Sequence, residues 1–245
     1  MTTTVVLHGF TGDAGTMEAI TSRLEGEVDA PDLAGHGAGP YPTDVAAYSI
    51  DGMAEAVLSR HPEPVHLVGY SMGGRVALTA ACRHPEQVLS LSLIGASAGL
   101  VEADERAARA AADDALAAQI RDDLEGFVDR WMANPLFATQ ARLGDDFLAE
   151  ARAQRLRNDP IALARSLRAN STGRMRPLHR DLPACTMPVA LIAGADDPKF
   201  VAIARDLAAA IPTASVHVID GAGHAAHLEQ PDPVVEAIRS VQGRA

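Results

Sequence analysis

A serine, a carboxylate and a histidine occur in this chain in an order that would let each serve the next. Ser71 sits in Gly69-Tyr70-Ser71-Met72-Gly73, a G-x-S-x-G string preceded by an apolar run at 65–70 and followed by alanine-rich helical patterning. Glycines on both sides permit a turn too tight for side chains, and such a turn lifts the hydroxyl clear of a strand end. A hydroxyl becomes reactive only beside a base, and the base needs an acid to orient it. Downstream, Gly194-Ala195-Asp196-Asp197 and then Gly221-Ala222-Gly223-His224 each follow an apolar run, so the acid precedes the histidine. Spacing from Gly194 favours Asp197 over Asp196, which reads as a surface turn residue. His224, in a glycine-flanked loop, is favoured over His227, and His8 reads as a turn-stabilising histidine. Negative charge developing on oxygen needs fixed donors; the Met72 amide is one, and the Phe10 amide, after His8-Gly9, is placed to be the second. The bland alternative, Ser71 as a mere turn residue, is disfavoured by its strand–turn–helix context.

Those residues need a scaffold that delivers loops to one edge. Apolar, β-branched or leucine-rich runs at 5–8, 28–31, 65–70, 88–95, 189–193 and 215–220 read as strands. Helical patterns at about 13–25, 44–60, 73–83, 199–210 and 232–242 alternate with them. Near-continuous apolar strands separated by helices predict an α/β fold: a mostly parallel sheet covered by helices on both faces. Asp197 and His224 then lie just past strand C-termini, where open α/β sheets meet their ligands. Residues 100–180 break the rhythm with helical patterning and no strand. The expected organisation is a core of 1–99 and 181–245 with a helical lid insertion at 100–180.

The chain has 245 residues, 47% hydrophobic, enough for one large core. Its formal charge of −11 argues against a nucleic-acid partner or an anionic membrane surface, and no apolar run is long enough to span a bilayer. Residues 100–180 hold thirteen arginines and thirteen acids, so the net negative charge belongs to the remainder. Solvated helix faces account for about two-thirds of those arginines; the rest are candidates to face an anionic ligand. Cys82 and Cys185 are far apart in sequence, without metal-type spacing, which fits a reducing cytoplasm. The N-terminus lacks the basic and apolar regions of a secretion signal.

Together these features resemble the α/β-hydrolase superfamily over nearly the entire chain. Within it, the chain resembles the 2-succinyl-6-hydroxy-2,4-cyclohexadiene-1-carboxylate (SHCHC) synthases of menaquinone biosynthesis, the MenH family. The strings that carry this are HGFTGD at 8–13, GYSMGGRVA at 69–77, ERAAR at 105–109, W-x-x-x-P-L-F at 131–137, GADDPKF at 194–200 and GAGHAAHLEQP at 221–231. The resemblance implies elimination of pyruvate from a small anionic cyclic substrate, with Ser71 acting as a base and no metal or organic cofactor. It implies substrate contacts from Tyr70, Arg75, Arg109, Trp131, Phe137 and Arg155; Arg157 or Arg152 could stand in for Arg155, and Trp131 could equally be lid core. Relatives often carry an aromatic where Met17 stands, and they usually begin with two further strands, so a sheet trimmed at that edge is expected. A serine carboxylesterase or C–C hydrolase working through an acyl-enzyme is the nearest alternative, and a non-catalytic ligand-binding protein on the same fold is the one from another class. A monomer or small homo-oligomer is expected.

Overall fold

The structure is a computed structural model and describes residues 2–244. Six strands form one sheet: β1 (Thr3–Leu7), β2 (Glu27–Asp29), β3 (Val65–Tyr70), β4 (Val88–Ile94), β5 (Val189–Gly194) and β6 (Ala214–Ile219). All neighbours are parallel, in the order β2-β1-β3-β4-β5-β6. The helices are α1 (Glu18–Thr21), α2 (Ile50–Ser59), α3 (Met72–Arg83), α4 (Ala103–Asp122), α5 (Leu124–Met132), α6 (Asp145–Leu156), α7 (Pro160–Ala169), α8 (Pro198–Ala210), α9 (Ala226–Glu229) and α10 (Pro231–Gln242).

The four inner strands, β1, β3, β4 and β5, are largely buried on both sides, yet successive residues still alternate between two cores. Val5, Leu7, Leu67, Leu191 and Ala193 pack with α2, α3 and α8; Val6, Val68, Ala190 and Ile192 pack with Met17, Ile20 and α10. Two-residue periodicity persists inside a continuous apolar run because the pleat sends neighbours to opposite faces. The outermost strand, β2, is only three residues long and carries Glu27 and Asp29, which makes a poor template for further pairing.

Two expected helices are broken where local hydrogen bonds compete with the helix. Around 13–25, Asp13 accepts from the Thr16 amide at 3.2 Å and starts a 3₁₀ turn, Ala14–Met17, before the single turn of α1. Around 44–60, Ser49 has an extended backbone and its hydroxyl accepts from the Gly52 amide at 3.0 Å, so α2 begins there; Asp44 caps a separate 3₁₀ turn, Val45–Tyr48. Short polar side chains act in this way at helix starts.

Between β4 and β5 the chain forms α4 to α7 and a 3₁₀ stretch, Pro135–Leu143, with no strand among the described residues. These helices have a core of their own, including Ile120, Phe127, Val128, Leu163 and Leu167, each buried Leu or Phe contributing roughly 2 kcal/mol. Polar ties fix them over the loops that follow β1 and β2. Asn158 donates to Thr11 O at 3.0 Å and accepts from the Gly37 amide at 3.0 Å, and Ser166 donates to Ala34 O at 2.9 Å. Among the described residues no helix is long and apolar enough to cross a membrane.

His36 and His227 are fully enclosed. Burial, with His8 adding for the first and His224 for the second, pushes both imidazoles down to about 3. Below 6.5 the unfolded chain therefore binds protons that the folded chain refuses, so stability is complete above that pH and drains away as pH falls towards 3. Each histidine supplies up to about 1.4 kcal/mol per pH unit. Thermal unfolding followed from pH 7 to pH 5 is expected to show a falling midpoint, with a shallower slope in His227→Asn.

Candidate active site

β3 ends at Tyr70 and α3 starts at Met72, leaving Ser71 alone at the bend with φ 49° and ψ −104°. This left-handed conformation is uncommon for a residue with a Cβ and persists only where its surroundings impose it. Here the Ser71 amide donates to Ile94 O at 2.9 Å, the Gly73 amide to His8 O at 3.0 Å and the Arg75 amide to Ser71 O at 3.1 Å. A Cβ on Gly69 would collide with the Gly73 backbone, and one on Gly73 with the Leu7 and His8 carbonyls. Both glycines are thus demanded by close backbone approach.

His224, reached from β6, places Nε2 3.2 Å from Ser71 Oγ and Nδ1 2.9 Å from Asp197 Oδ2. Asp197 is held from behind: its amide donates to Gly194 O at 3.0 Å, and its other oxygen caps α8 by accepting from the Phe200 amide at 3.2 Å. His224 and Asp197 are 3% and 6% exposed, so little water competes for their hydrogen bond. Asp196 points to the surface and pairs with Arg142. His227 lies tilted against Tyr70, ring centroids 4.2 Å apart, and lines the adjoining cavity and not the one above Ser71. His8 accepts the Leu33 amide at 2.9 Å and holds its own turn through Gly9 O. None of the three joins the hydrogen-bonded chain of Ser71, His224 and Asp197.

Phe10 and Met72 line the same cavity as Ser71, and neither amide donates to another group among the described residues. For Met72 this follows from its place at the start of α3, where amides lack intrahelical acceptors.

A cavity of about 470 Å³ opens above Ser71 and His224, bounded by Phe10, Tyr70, Arg75, Arg109, Trp131 and Phe137 among others. Arg75 projects from the first turn of α3; its Nη1 donates to Asn170 O at 2.6 Å, and no carboxylate lies within ion-pair distance among the described residues. Burial, with the charge of Arg109 adding and Asp113 opposing, lowers it to about 10, so it stays cationic at neutral pH. Arg109 is already engaged: Nε lies 2.9 Å from both oxygens of Asp113. Asp113 is 1% exposed and also accepts from Ser171 Oγ at 2.7 Å. Asp113 and Asn170 thus set the poses of the two guanidiniums. Neither belongs to a recognisable motif; the signal available for Asp113 is its i,i+4 spacing from Arg109.

Arg155 does not line this cavity. It faces an adjoining one of about 430 Å³, with Tyr70, Phe10, Trp131 and Phe137 forming the shared wall. Its Nη1 donates to Ala151 O at 2.7 Å, its Nε is buried without a partner, and burial lowers its pKa. Arg152 is bound to Asp129 and Glu125 at the surface, and Arg157 lies 3.6 Å from Asp13, so Arg155 is the free cation of the three. Trp131 serves both anticipated roles: it stacks on Phe127 of the helical core and meets Phe10 edge-on at the cavity wall. Nine of the thirteen arginines of 100–180 (Arg109, Arg121, Arg130, Arg142, Arg152, Arg157, Arg168, Arg174 and Arg176) pair with carboxylates. Arg109 apart, these pairs join exposed or partly exposed side chains. Among the described residues no cluster of His, Cys, Asp or Glu is arranged to hold a metal ion.

Residues 4–237 match the model of the "Alpha/beta hydrolase family". The 2-succinyl-6-hydroxy-2,4-cyclohexadiene-1-carboxylate synthase of Enterobacter sp. (strain 638) is 34% identical, over 97% of this chain and 90% of that protein. MenH from S. aureus superposes with a TM-score of 0.92 at 32% identity, covering 99% of this chain and 94% of that one. A malate-bound esterase from Thermogutta terrifontis superposes at 0.86 with 25% identity, covering 100% and 90%.

Gly73→Ala is expected to cost about 3 kcal/mol in urea unfolding, because its new methyl meets backbone rather than a movable side chain. Asp113→Asn, which weakens the Arg109 ion pair and the buried hydrogen bond from Ser171, is expected to cost about 1–3 kcal/mol in the same measurement.

Proposed function

The chain belongs to the alpha/beta hydrolase family, and we propose from its relatives and its site that it eliminates pyruvate from 2-succinyl-5-enolpyruvyl-6-hydroxy-3-cyclohexene-1-carboxylate. The product is SHCHC, and the step belongs to menaquinone biosynthesis. Within the site, one observation carries the reading: Arg75 is a desolvated guanidinium, without a carboxylate partner, in the same cavity as the Ser71–His224–Asp197 chain. Such a cation favours a carboxylate ligand, and a planar fork can grip it with two parallel bonds.

The substrate carries three carboxylates. One pairs with Arg75, and a second with the Arg109 nitrogens that Asp113 leaves free. Arg155, behind the aromatic wall, receives the third if Phe10, Tyr70, Trp131 and Phe137 move apart to join the two cavities. Residues 100–180, which supply Arg109, Trp131, Phe137 and Arg155, act as the lid that closes over it.

Ser71 acts as a base. Its Oγ takes the proton beside the succinyl ketone while its own proton passes to His224 Nε2. Asp197 steadies the imidazolium through Nδ1. The resulting enolate oxygen is received by the Phe10 and Met72 amides, fixed donors that need no reorganisation. Electrons return from the enolate across the ring double bond, the C–O bond to the enolpyruvyl group breaks, and the His224 proton goes to the departing enolpyruvate, which tautomerises to pyruvate. Tyr70 stays protonated because burial pushes its phenol well above its usual range, outweighing the opposing charge of Arg155.

The same amides and serine could instead serve an acyl-enzyme, and the similarity to an esterase keeps that reading in view. Lactate dehydrogenase coupled to the purified protein and synthesised precursor is expected to record pyruvate release, with no burst stoichiometric with enzyme from an activated ester. A burst with efficient ester turnover and no pyruvate would overturn the synthase reading.

Ser71→Ala and His224→Ala are expected to lower kcat by about 10³-fold or more. Arg75→Ala is expected to raise KM and lower kcat together, about 10²-fold in kcat/KM, since it strips a carboxylate of its buried partner. Unchanged kinetics in Arg75→Ala would remove the anionic-substrate argument while leaving the serine chemistry intact.

A further inference from the structure

Cys82, in the last turn of α3, and Cys185, just ahead of β5, are 103 positions apart in the chain, yet their sulfurs lie 3.5 Å apart inside the core. Both are free thiols, and neither lines the cavity above Ser71. Their backbones are fixed. Cys82 belongs to a regular helix, while the Cys185 amide donates to Leu182 O at 3.0 Å and its carbonyl accepts from Thr213 Oγ1 at 3.3 Å. A disulfide spans about 2.05 Å, so the sulfurs need only close by about 1.5 Å, a movement within reach of side-chain rotation.

We propose that Cys82 and Cys185 form a modification site, a buried thiol pair that a peroxide oxidises to an intramolecular disulfide. Cys82, 9% exposed against 0% for Cys185, is the thiol a small oxidant reaches first. The hydrogen bond with Cys185 and burial push the Cys82 thiol up, so oxidation is slow and runs through the small fraction that has released its proton to water; that thiolate attacks a peroxide oxygen. The O–O bond breaks, and Cys82 sulfenic acid forms with loss of hydroxide. The neighbouring Cys185 sulfur then attacks the sulfenic sulfur, the S–O bond breaks, and the departing hydroxide takes the Cys185 proton as water. Two thiols lose two electrons in all, and one peroxide becomes two waters. The sulfur-to-sulfur placement directs the sulfenic acid to its neighbour before a second peroxide can take it to sulfinic acid.

The position of the pair also sets the consequence. α3 runs back from Ser71, so Cys82 lies near the opposite end of the sheet from the site, and Cys185 enters β5 from that same end. A bond there joins two elements that carry Ser71 and Asp197 without touching either side chain. It closes a loop containing β4 and all of residues 100–180, which restricts the unfolded chain. The oxidised protein should therefore resist unfolding and keep its activity.

The test is to treat the folded protein with stoichiometric hydrogen peroxide, block residual thiols under denaturing conditions, and map peptides without reductant. The expected result is a peptide pair joined through Cys82 and Cys185, monomeric protein, and an unfolding midpoint raised by about 5 °C or more that dithiothreitol reverses. In Cys185→Ala, dimedone is expected to capture a sulfenic acid at Cys82 that it does not capture in the parent chain. Two alkylated thiols, sulfinic or sulfonic acid at Cys82, disulfide-linked dimers, or a midpoint that does not rise would each overturn the proposal. Should Cys185→Ala fail to fold, the mapping and the midpoint of the parent chain decide it alone.

Discussion

The rest of the site depends on a single strained residue. Ser71 is held at positive φ between a strand and a helix because the backbone on either side has nowhere else to go: β4 takes its amide and His8 O takes the next free one but one. Such a conformation costs roughly 1–3 kcal/mol, and it persists because Ile94 of β4, His8 just after β1 and the first turn of α3 hold the backbone on either side of it. From that bend the other positions follow. The Met72 amide is unbonded because it opens a helix, and Arg75 faces the cavity because it lies one turn further on. His224 reaches Ser71 because Gly95 leaves room beside its ring, where a Cβ would approach within 3.0 Å.

Charge is distributed to the same end. The molecule is strongly acidic as a whole, yet the cavity above Ser71 presents guanidiniums. The arginines of 100–180 divide by environment: most meet carboxylates at the surface, where such pairs are worth little. Arg75 lacks a carboxylate partner, and Arg109 is pinned through one edge by a buried Asp113. Burial first, and then the neighbouring charge of Arg109, disfavours the charged guanidinium of Arg75, as its lowered pKa records. An anionic ligand would relieve that cost, which gives the site a preference before any particular contact is drawn.

The aromatic wall is the part most open to change. Trp131 meets Phe10 edge-on and Phe137 at a tilt, and Tyr70 completes the partition between the two cavities. Trp131 leaves its indole nitrogen without a partner in a buried setting, as does Arg155 with its Nε. Buried donors of this kind carry a desolvation cost that a hydrogen-bonding ligand would recover. The helices that hold these residues are tied to the loops after β1 and β2 by Asn158 and Ser166, so the partition rests on the sheet domain as well as on the helical core.

The order of strands and helices, the choice of Ser71, Asp197 and His224, and the preference for Asp197 over Asp196 were all determined by the amino-acid sequence alone. Each is a local property: a two-residue or helical period, a glycine beside a turn, an acid at a fixed spacing from a strand end. Local competition also explains the helices that came out shorter, since Asp13, Asp44 and Ser49 offer their backbone neighbours hydrogen bonds that the apolar pattern does not register. Tertiary structure alone decided which cations share a cavity with Ser71, that Arg155 stands behind a wall, and that Asp113 and Asn170 hold Arg109 and Arg75. It also brought together two cysteines that look unrelated along the chain. These outcomes depend on where independently stable pieces come to rest against one another, and close packing sets that through contacts between residues a hundred positions apart, which no local period encodes.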